Sequence, residues 1–265
     1  MIIMLTKKQI NSIKKLESRK ERDDNGLFVA EGDKLVSELL GSDMDIDSVY
    51  ATGDWIENLK HKQRSKNITI TKVSEEELVR ISFLKTPNKV LAVIKKTVDN
   101  NVSDEALFGE WSIFLDTVQD PGNMGTILRL ADWFGFRYIV CSSGSADIFQ
   151  PKVVQSTMGA ISRVKVIRMD AVDFFERKKL YAPEIPVYGT FLDGDTIYDT
   201  EFRKSGILVM GNESRGINSE TAGYIDSRLL IPPFPKDSVS SESLNVAVAT
   251  AIVCAEIRRQ NNSIF

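Results

Sequence analysis

The sequence predicts an α/β protein built on a parallel sheet, and three observations support this class. Short apolar segments alternate with helical patterns along nearly the whole chain, as in βαβ units. In the second half, segments such as SIFLD (112–116) and RYIVC (137–141) are almost entirely apolar, which is typical of strands covered on both faces. Three polar loops each follow such a strand, at the sheet edge where open α/β proteins bind ligands.

The first hundred residues form the smaller predicted domain. Its strand and helix signals run in the order LFVAE, GDKLVSELL, IDSVYA, DWIENLKHK, ITITK, SEEELVRI and KVLAVIK, a βαβ-type layer. Residues 98–110 are polar and are predicted to be a linker. We therefore place one domain at 1–97 and a second at 111–265.

The second domain continues the alternation to the end of the chain. SIFLD precedes a helix that is predicted to start at Asn123, a good N-cap residue. A terminal helix is predicted from about Ser243, with Ser243 or Glu242 as its cap. Between them lie RYIVC, a helical piece from Pro151, RVKVIR, DAVDFFERKK, PVYGT, GILVMG and RLLI.

Composition narrows the function classes. The 265 residues are 42% hydrophobic and 27% charged, with a net charge of −3, so any contact with nucleic acid depends on a local basic patch. No apolar run approaches the roughly 18 residues of a membrane span. Cys141 and Cys254 lie in apolar stretches and are predicted to be buried, reduced thiols. We expect a cytoplasmic protein with no membrane partner.

Two basic clusters are candidates for such a patch, although a solvated helix face is the more common explanation for either alone. The first comprises Lys7, Lys8, Lys14, Lys15, Arg19, Lys20 and Arg22, and the second comprises Lys60, His61, Lys62, Arg64 and Lys66. His61 is the single histidine, which argues against a Ser–His pair or a His-rich metal site. Dinucleotide-binding, P-loop, C-x-x-C and H-E-x-x-H patterns are also lacking.

Three loops form the candidate site. They are DTVQDPGNMG after SIFLD, GNESRG (211–216) after ILVM, and IPPFPKDSVSSESLN (231–245) after RLLI. Each alone is more often a structural turn, but three polar loops that all follow apolar strands favour a shared site. The glycines of the second loop allow positive φ and close approach of the backbone to a ligand.

Arg129 has two interpretations. It lies about 200° around the predicted helix from Ile127, away from the apolar face that Ile127, Ala131 and Phe134 share. A solvated surface charge and a ligand for an anion or substrate at a cleft both fit this position.

The three loops resemble the three motifs of the SpoU (TrmH-type) RNA ribose methyltransferases of the SPOUT superfamily. The first motif is matched by Asn123, Gly125 and Arg129, and the second by Gly211, Asn212, Glu213 and Gly216. Ile231, Pro232 and residues 243–246 match the third, and QSTMGA (155–160) resembles the helix between the first two motifs. GLFVAEGDKLV and TPNKVLAVIKK in the first domain are similar, more weakly, to the family's ribosomal-protein-like substrate-binding domain.

The resemblance implies an S-adenosylmethionine-dependent enzyme that methylates a ribose 2'-hydroxyl of structured RNA without a metal, with rRNA favoured over tRNA. It also implies a deep trefoil knot in the C-terminal domain and a homodimer formed through that domain. The cofactor residues carried over are Gly211, Ile231, Leu244 and Thr190. The catalytic residues are Arg129, Asn123, Glu213, Ser243 and Asn245, and the basic cluster from Lys7 to Arg22 is expected to bind RNA.

Two alternative functions also fit the sequence. One is a non-catalytic RNA-binding protein that keeps the same fold, against which the intact motif residues Asn123, Arg129, Glu213 and Asn245 argue. The other is an enzyme that acts on a small nucleotide, which leaves the basic N-terminal cluster without a purpose.

Overall fold

The computed structural model describes residues 5–59, 68–97, 102–235 and 243–261, and its contacts divide the chain into two compact units. The first unit comprises residues 1–98 and 147–162, and the second comprises residues 99–146 and 163–265. Residues 147–162, which the sequence analysis assigns to the second domain, therefore belong to the first unit. The first unit is discontinuous in sequence.

The elements of the described residues follow in chain order. They are α1 (Lys7–Lys15), α2 (Arg19–Asn25), β1 (Leu27–Glu31), α3 (Asp33–Leu40), β2 (Ile46–Ala51), α4 (Gly53–Leu59), β3 (Ile70–Lys72), α5 (Glu75–Ile81), β4 (Val90–Lys95), α6 (Asp104–Phe108), β5 (Ser112–Leu115), α7 (Pro121–Trp133), β6 (Tyr138–Cys141), α8 (Pro151–Thr157), a 3-10 turn (Ala160–Ser162), β7 (Lys165–Arg168), α9 (Ala171–Tyr181), β8 (Val187–Thr196), β9 (Ile207–Met210), α10 (Ser219–Ala222), β10 (Ser227–Leu230) and α11 (Val246–Asn261). Helix α6 lies inside the segment predicted to be a linker.

The first unit is built on a four-stranded mixed sheet in the order β1-β4-β2-β3. Strand β4 is antiparallel to both β1 and β2, and only β2 and β3 are parallel. The expected βαβ-type layer is therefore wrong for most of this sheet. Strand β4 is buried along five of its six residues, and such a uniformly apolar run carries no signal for strand direction.

Residues 147–162 join the first unit through both apolar and ionic contacts. The Phe149 ring packs against Phe28 with 5.0 Å between ring centroids. Arg22 donates to the Asp147 carboxylate at 2.7 Å and also to the backbone oxygens of Leu16 and Glu17. Because Arg22 is only 2% exposed, its predicted role in RNA binding is wrong. The residue instead anchors this segment.

The second unit contains a six-stranded sheet in the order β10-β8-β9-β5-β6-β7, and every pair in it is parallel. This confirms the parallel-sheet domain. All four residues of β5, β6 and β9 are buried, as expected for strands covered on both faces. Helix α9 covers one face through Phe174 and Phe175, which stack around Phe114. Helix α11 packs against α7.

The two cysteines are buried, free thiols, as predicted. Burial raises the pKa of the Cys141 thiol to about 12. It also raises the pKa of the Cys254 thiol. Both side chains therefore stay protonated near neutral pH and are poor nucleophiles.

Among the helices of the described ranges, none has the length and hydropathy that a membrane crossing requires.

Candidate active site

A cleft of about 450 Å³ lies in the second unit, beside β8 and beyond the carboxyl ends of β9 and β10. It is lined by Thr190, Phe191, Leu192, Asp193, residues 210–217, Leu229, Leu230, Ile231, Ser243, Leu244, Val246 and Ala249. All four predicted cofactor residues, Gly211, Ile231, Leu244 and Thr190, line it. The structure thus brings residues from four separate chain segments to one cavity.

One wall of the cleft is held by the extended strand β8. The Asp193 carboxylate pairs with the guanidinium of Arg228, which also lies 3.6 Å from the centre of the Phe191 ring. The Thr190 hydroxyl donates to the Met210 sulfur at 3.7 Å, which links this wall to the end of β9. The wall is therefore fixed by side-chain contacts as well as by the sheet.

Gly211 starts the second loop at a point where two backbone segments touch. A Cβ atom on Gly211 would lie 2.3 Å from the carbonyl carbon of Gly216 and 2.4 Å from the nitrogen of Ile217. Asn212 and Gly216 close the loop by exchanging two backbone hydrogen bonds of 2.9 Å. This close approach requires glycine at position 211. Gly216 has a φ of +68°, a left-handed conformation that favours glycine at that position as well.

The Asn212 side chain ties the second loop to the first. Its amide donates to the Thr117 carbonyl at 2.8 Å, and its carbonyl oxygen accepts from the backbone nitrogens of Ser214 and Arg215. Thr117 has a φ of +56°, which is unusual for a β-branched residue and points to a position under local strain. The strained residue supplies the carbonyl that Asn212 binds.

A buried carboxylate supports the same junction from below. Asp116, 0% exposed, accepts from both the backbone nitrogen and the side-chain amide of Asn218 at 2.8 Å. Asp116, Thr117 and Asn218 are not among the site residues predicted from the sequence. The sequence offers one signal for these residues, an aspartate directly after an apolar strand, and this pattern is also typical of an ordinary surface turn.

The first loop differs from the prediction in its cap. Asp120 is the N-cap of α7, with Pro121 in the first helical turn, and the Asp120 carboxylate accepts from the backbone nitrogen of Asn123 at 2.8 Å. The predicted N-cap at Asn123 is therefore wrong. Proline fits the first turn of a helix because its missing N–H is not needed there, so the helix starts earlier. This leaves the Asn123 side chain available for other contacts.

Three of the five predicted catalytic residues form one hydrogen-bonded chain. The Asn123 amide donates to Glu213 Oε1 at 3.1 Å, and Asn123 Oδ1 accepts from the amide of Asn245 at 2.9 Å. Asn245 also caps α11, because its carbonyl oxygen accepts from the nitrogens of Ala247 and Val248. The terminal helix therefore begins at Val246, and the predicted cap at Ser243 or Glu242 is wrong.

The other two predicted catalytic residues lie apart from this chain. Ser243 lines the cleft, and residues 236–242 of the third loop lie outside the described residues. Arg129 is exposed, as predicted, and does not belong to the cleft lining. By helix geometry it lies about 9 Å along α7 from Asn123 and about 120° around the axis.

The basic cluster of the first unit divides into exposed and engaged residues. Lys7, Lys8, Lys15, Arg19 and Lys20 are exposed on α1 and α2. Lys14 is half-buried, because its ammonium donates to the Ser82 carbonyl at 2.8 Å and lies over the Phe83 ring. Arg22 is the buried anchor described above. The second cluster, Lys60 to Lys66, lies outside the described residues.

Within the part of the chain that the structure describes, no group of three or more His, Cys, Asp or Glu side chains could hold a metal ion.

Comparison with known proteins identifies similar domains in both halves of the chain. Residues 110–255 match the model of the SpoU rRNA Methylase family, and residues 7–92 match an MRM3-like substrate binding domain. The 23S rRNA (guanosine(2553)-2'-O)-methyltransferase RlmP of Bacillus subtilis is 30% identical over 252 residues, which cover 94% of this chain and 96% of that protein.

Solved structures are similar over nearly the whole chain. A protein from Porphyromonas gingivalis, described as an RNA methyltransferase of the TrmH family, is 39% identical with a TM-score of 0.85. The match covers 97% of this chain and 100% of that one. An AdoMet-bound rRNA methyltransferase from Sinorhizobium meliloti is 29% identical with a TM-score of 0.83, over 98% of this chain and 97% of that one.

Proposed function

The chain belongs to the SpoU rRNA methylase family, and on that premise we propose that it transfers a methyl group from S-adenosylmethionine to a ribose 2'-hydroxyl of ribosomal RNA. One observation carries the proposal: a single cleft contains all four predicted cofactor residues, and Glu213 of the hydrogen-bonded chain also lines it. RlmP, an rRNA 2'-O-methyltransferase by name, and the AdoMet-bound relative support the substrate and the cofactor.

The residues of the cleft fit a nucleoside cofactor. Gly211 lines the cleft without a side chain, while Ile231 and Leu244 offer apolar surface. The sulfonium of S-adenosylmethionine supplies the methyl group. The protein has to hold the ribose hydroxyl in line with that group and assist the loss of its proton.

Glu213 and its partners would orient the ribose. The Asn123 amide and the Asp120 nitrogen both donate to Oε1 of Glu213, and among the described residues Oε2 keeps its acceptor capacity. A carboxylate held in this way can accept a hydrogen bond from the 2'-hydroxyl. Ser243 and Asn245 would complete the binding of the ribose from the start of α11.

Arg129 would act as an anchor for the RNA. A guanidinium does not lose its proton near neutral pH, so a role as general base is physically unfavourable. Its planar set of donors is suited to holding a phosphate and a ribose oxygen together. Its exposure and its match to the family arginine support this role.

We also propose a homodimer through the C-terminal domain. Trp133 on α7 is 81% exposed and Val248 on α11 is 50% exposed, and these two helices pack together. Large exposed apolar side chains are typical of interaction surfaces. Arg129 precedes Trp133 by one helical turn, so dimerisation through Trp133 would place Arg129 beside the partner subunit. Sedimentation velocity of the full-length chain tests the mass of the assembly.

A trefoil knot fits the path of the second unit. Strand β10 lies at one edge of the sheet, whereas α11 packs on α7, which follows the central strand β5. In a trefoil knot, the connection from β10 to α11 would pass the loops that follow β8 and β9, and residues of these loops line the same cleft as Ile231 and Leu244. An experimental trace of residues 231–246 tests the threading.

Cofactor binding gives the most direct test of the function. We expect S-adenosylhomocysteine, without added metal, to raise the melting temperature of the full-length protein. At one hundred times its dissociation constant, a ligand stabilises the folded state by about 2.7 kcal/mol. Differential scanning fluorimetry measures the shift, and transfer of a labelled methyl group to rRNA measures the activity. An unchanged melting temperature at millimolar ligand, with RNA still bound, would indicate the non-catalytic RNA-binding alternative.

We propose that residues 1–97 bind RNA, that residues 111–265 carry out methyl transfer, and that the protein works in the cytoplasm. A fragment that starts near Gly109 is a poor test of this division, because it removes the partners of residues 147–162. Point variants of the full-length chain avoid that problem.

The exposed lysines of the first unit are expected to bind RNA phosphates. Lys15 and Lys20 line a shallow depression between α1 and α2. The double variant Lys15→Ala/Lys20→Ala should weaken RNA binding and reduce the slope of log K against log salt by about 1.8, since each phosphate contact contributes roughly 0.9. Lys179→Ala/Lys204→Ala removes the same charge from exposed positions of the second unit and is the matched control. Equal losses in both variants would contradict a specific role for the first unit.

A further inference from the structure

The cleft is lined by three charged side chains, two acidic and one basic. The charged residues that line it are Asp193, Glu213 and Arg215. Asp193 is paired with Arg228, and Glu213 accepts from Asn123 and Asp120. Arg215 is exposed, and its guanidinium has no ion pair or hydrogen bond to any other residue that the structure describes. The lining therefore contains one cation whose charge is not matched by a neighbour.

Arg215 is carried by a turn whose backbone is fixed on several sides. Its own backbone nitrogen donates to Asn212 Oδ1 at 3.1 Å, and the next residue, Gly216, exchanges backbone hydrogen bonds with Asn212. The Asn212 amide is itself bound to the Thr117 carbonyl. The base of the Arg215 side chain is thus held in place before any ligand arrives, which lowers the entropic cost of binding through it.

The chemistry of an unpaired arginine favours an oxyanion. Guanidinium groups form short, charge-assisted and often bidentate hydrogen bonds to carboxylate and phosphate oxygens. The proposed reaction brings two such groups to the domain: the amino-acid carboxylate of the cofactor and the phosphates that flank the target ribose.

We propose that Arg215 is an anion-binding residue of the cleft, which holds either the cofactor carboxylate or an RNA phosphate. This assignment rests on the proposed function, because that function supplies both anions. It differs from the role of Arg129, which lies on α7 and outside the cleft lining. Arg215 binds and orients a ligand and takes no part in the transfer of the methyl group or the proton.

Cofactor binding and the kinetics and salt dependence with RNA, measured on full-length Arg215→Ala, distinguish the sources of the anion. If the carboxylate is bound, the dissociation constant of S-adenosylhomocysteine should rise at least tenfold, while that of 5'-methylthioadenosine, which lacks the carboxylate, should stay within twofold. If a phosphate is bound, both cofactor constants should stay the same. The KM for unmodified 23S rRNA should then rise about tenfold, and the salt slope should fall by about one.

Two further variants separate the effect of the guanidinium from that of charge alone. Arg215→Lys retains the charge but loses the planar fork, so it should recover only part of the affinity. Arg137→Ala removes an exposed arginine from the opposite, amino-terminal edge of the same sheet and should leave every constant unchanged.

If Arg215→Ala keeps the wild-type dissociation constants for S-adenosylhomocysteine and 5'-methylthioadenosine and the wild-type KM for RNA, the assignment is overturned while the proposed function stands. If the wild-type protein binds neither S-adenosylhomocysteine nor rRNA, the proposed function fails, and this assignment is overturned with it.

Discussion

Arg129→Ala should lower the rate of methyl transfer at least about a hundredfold, because the anchored ribose hydroxyl would no longer be held in line with the methyl group, and a misplacement of 1 Å can have that effect. Folding and cofactor affinity should stay nearly unchanged, because Arg129 is exposed and lies outside the cleft lining. Single-turnover methylation of rRNA, with RNA and cofactor both saturating, isolates the step. The melting temperature with and without S-adenosylhomocysteine reports the two properties that should be preserved.

Arg129→Lys is the informative companion. An ammonium group keeps the charge but cannot present the planar fork that holds a phosphate and a ribose oxygen together, so little activity should return. Thr126→Ala, one turn earlier on the same exposed side of α7, is a control for changes to this helix face. A near-normal rate for Arg129→Ala would identify Arg129 as an ordinary solvated charge, the other interpretation of its position in the sequence.

Gly211→Ala is the second substitution with a large expected effect. The new Cβ would lie 2.3 Å from a backbone carbon of Gly216, where no flexible side chain can give way. The loop must therefore shift, and Glu213, two residues on, would move with it. We expect a loss of about 1–3 kcal/mol in the free energy of unfolding, as for other overpacked sites. Methyl transfer should fall about a hundredfold, because a displacement of 1 Å in a positioned group can have that effect.

Gly223→Ala is the matched control for this substitution. Gly223 lies in the same unit with a helical φ of −66°, and the closest atom to its new Cβ would be 3.4 Å away. Its variant should keep near-wild-type stability and activity. Denaturant unfolding and cofactor titration compare the pair. If Gly211→Ala binds S-adenosylhomocysteine with wild-type affinity, the loop does not need the close backbone approach for cofactor binding.

Much of the second unit follows from local sequence signals. The uniformly apolar strands predicted the parallel sheet, and two of the three polar loops that follow them line the cleft. Both predictions depend on burial patterns that short segments display on their own. The resemblance to a family then selected Gly211, Ile231, Leu244 and Thr190, four residues that local patterns alone do not bring together.

The predictions that were wrong share one cause. Each concerns a residue or strand whose role is set by a contact that its local sequence does not show. Arg22 belongs to a basic run in sequence, yet Asp147, 125 residues away, makes it a buried ionic anchor. Asn123 is a plausible cap, but it is released from that role by Asp120 and engaged by Glu213 and Asn245. Likewise, the direction of β4 is set by its two neighbours in the sheet. Periodicity and propensity do not report such pairings.

The discontinuous first unit has a consequence for the order in which the protein folds during translation. Its N-terminal part ends at residue 98, but its remaining segment extends to residue 162. At typical synthesis rates of about 5–20 residues per second, the 48 intervening residues, 99–146, take roughly 2–10 s to appear. During that interval Arg22 lacks Asp147 and Phe28 lacks Phe149. The nascent N-terminal region must therefore wait, with part of its core uncovered, for a segment encoded within the following domain.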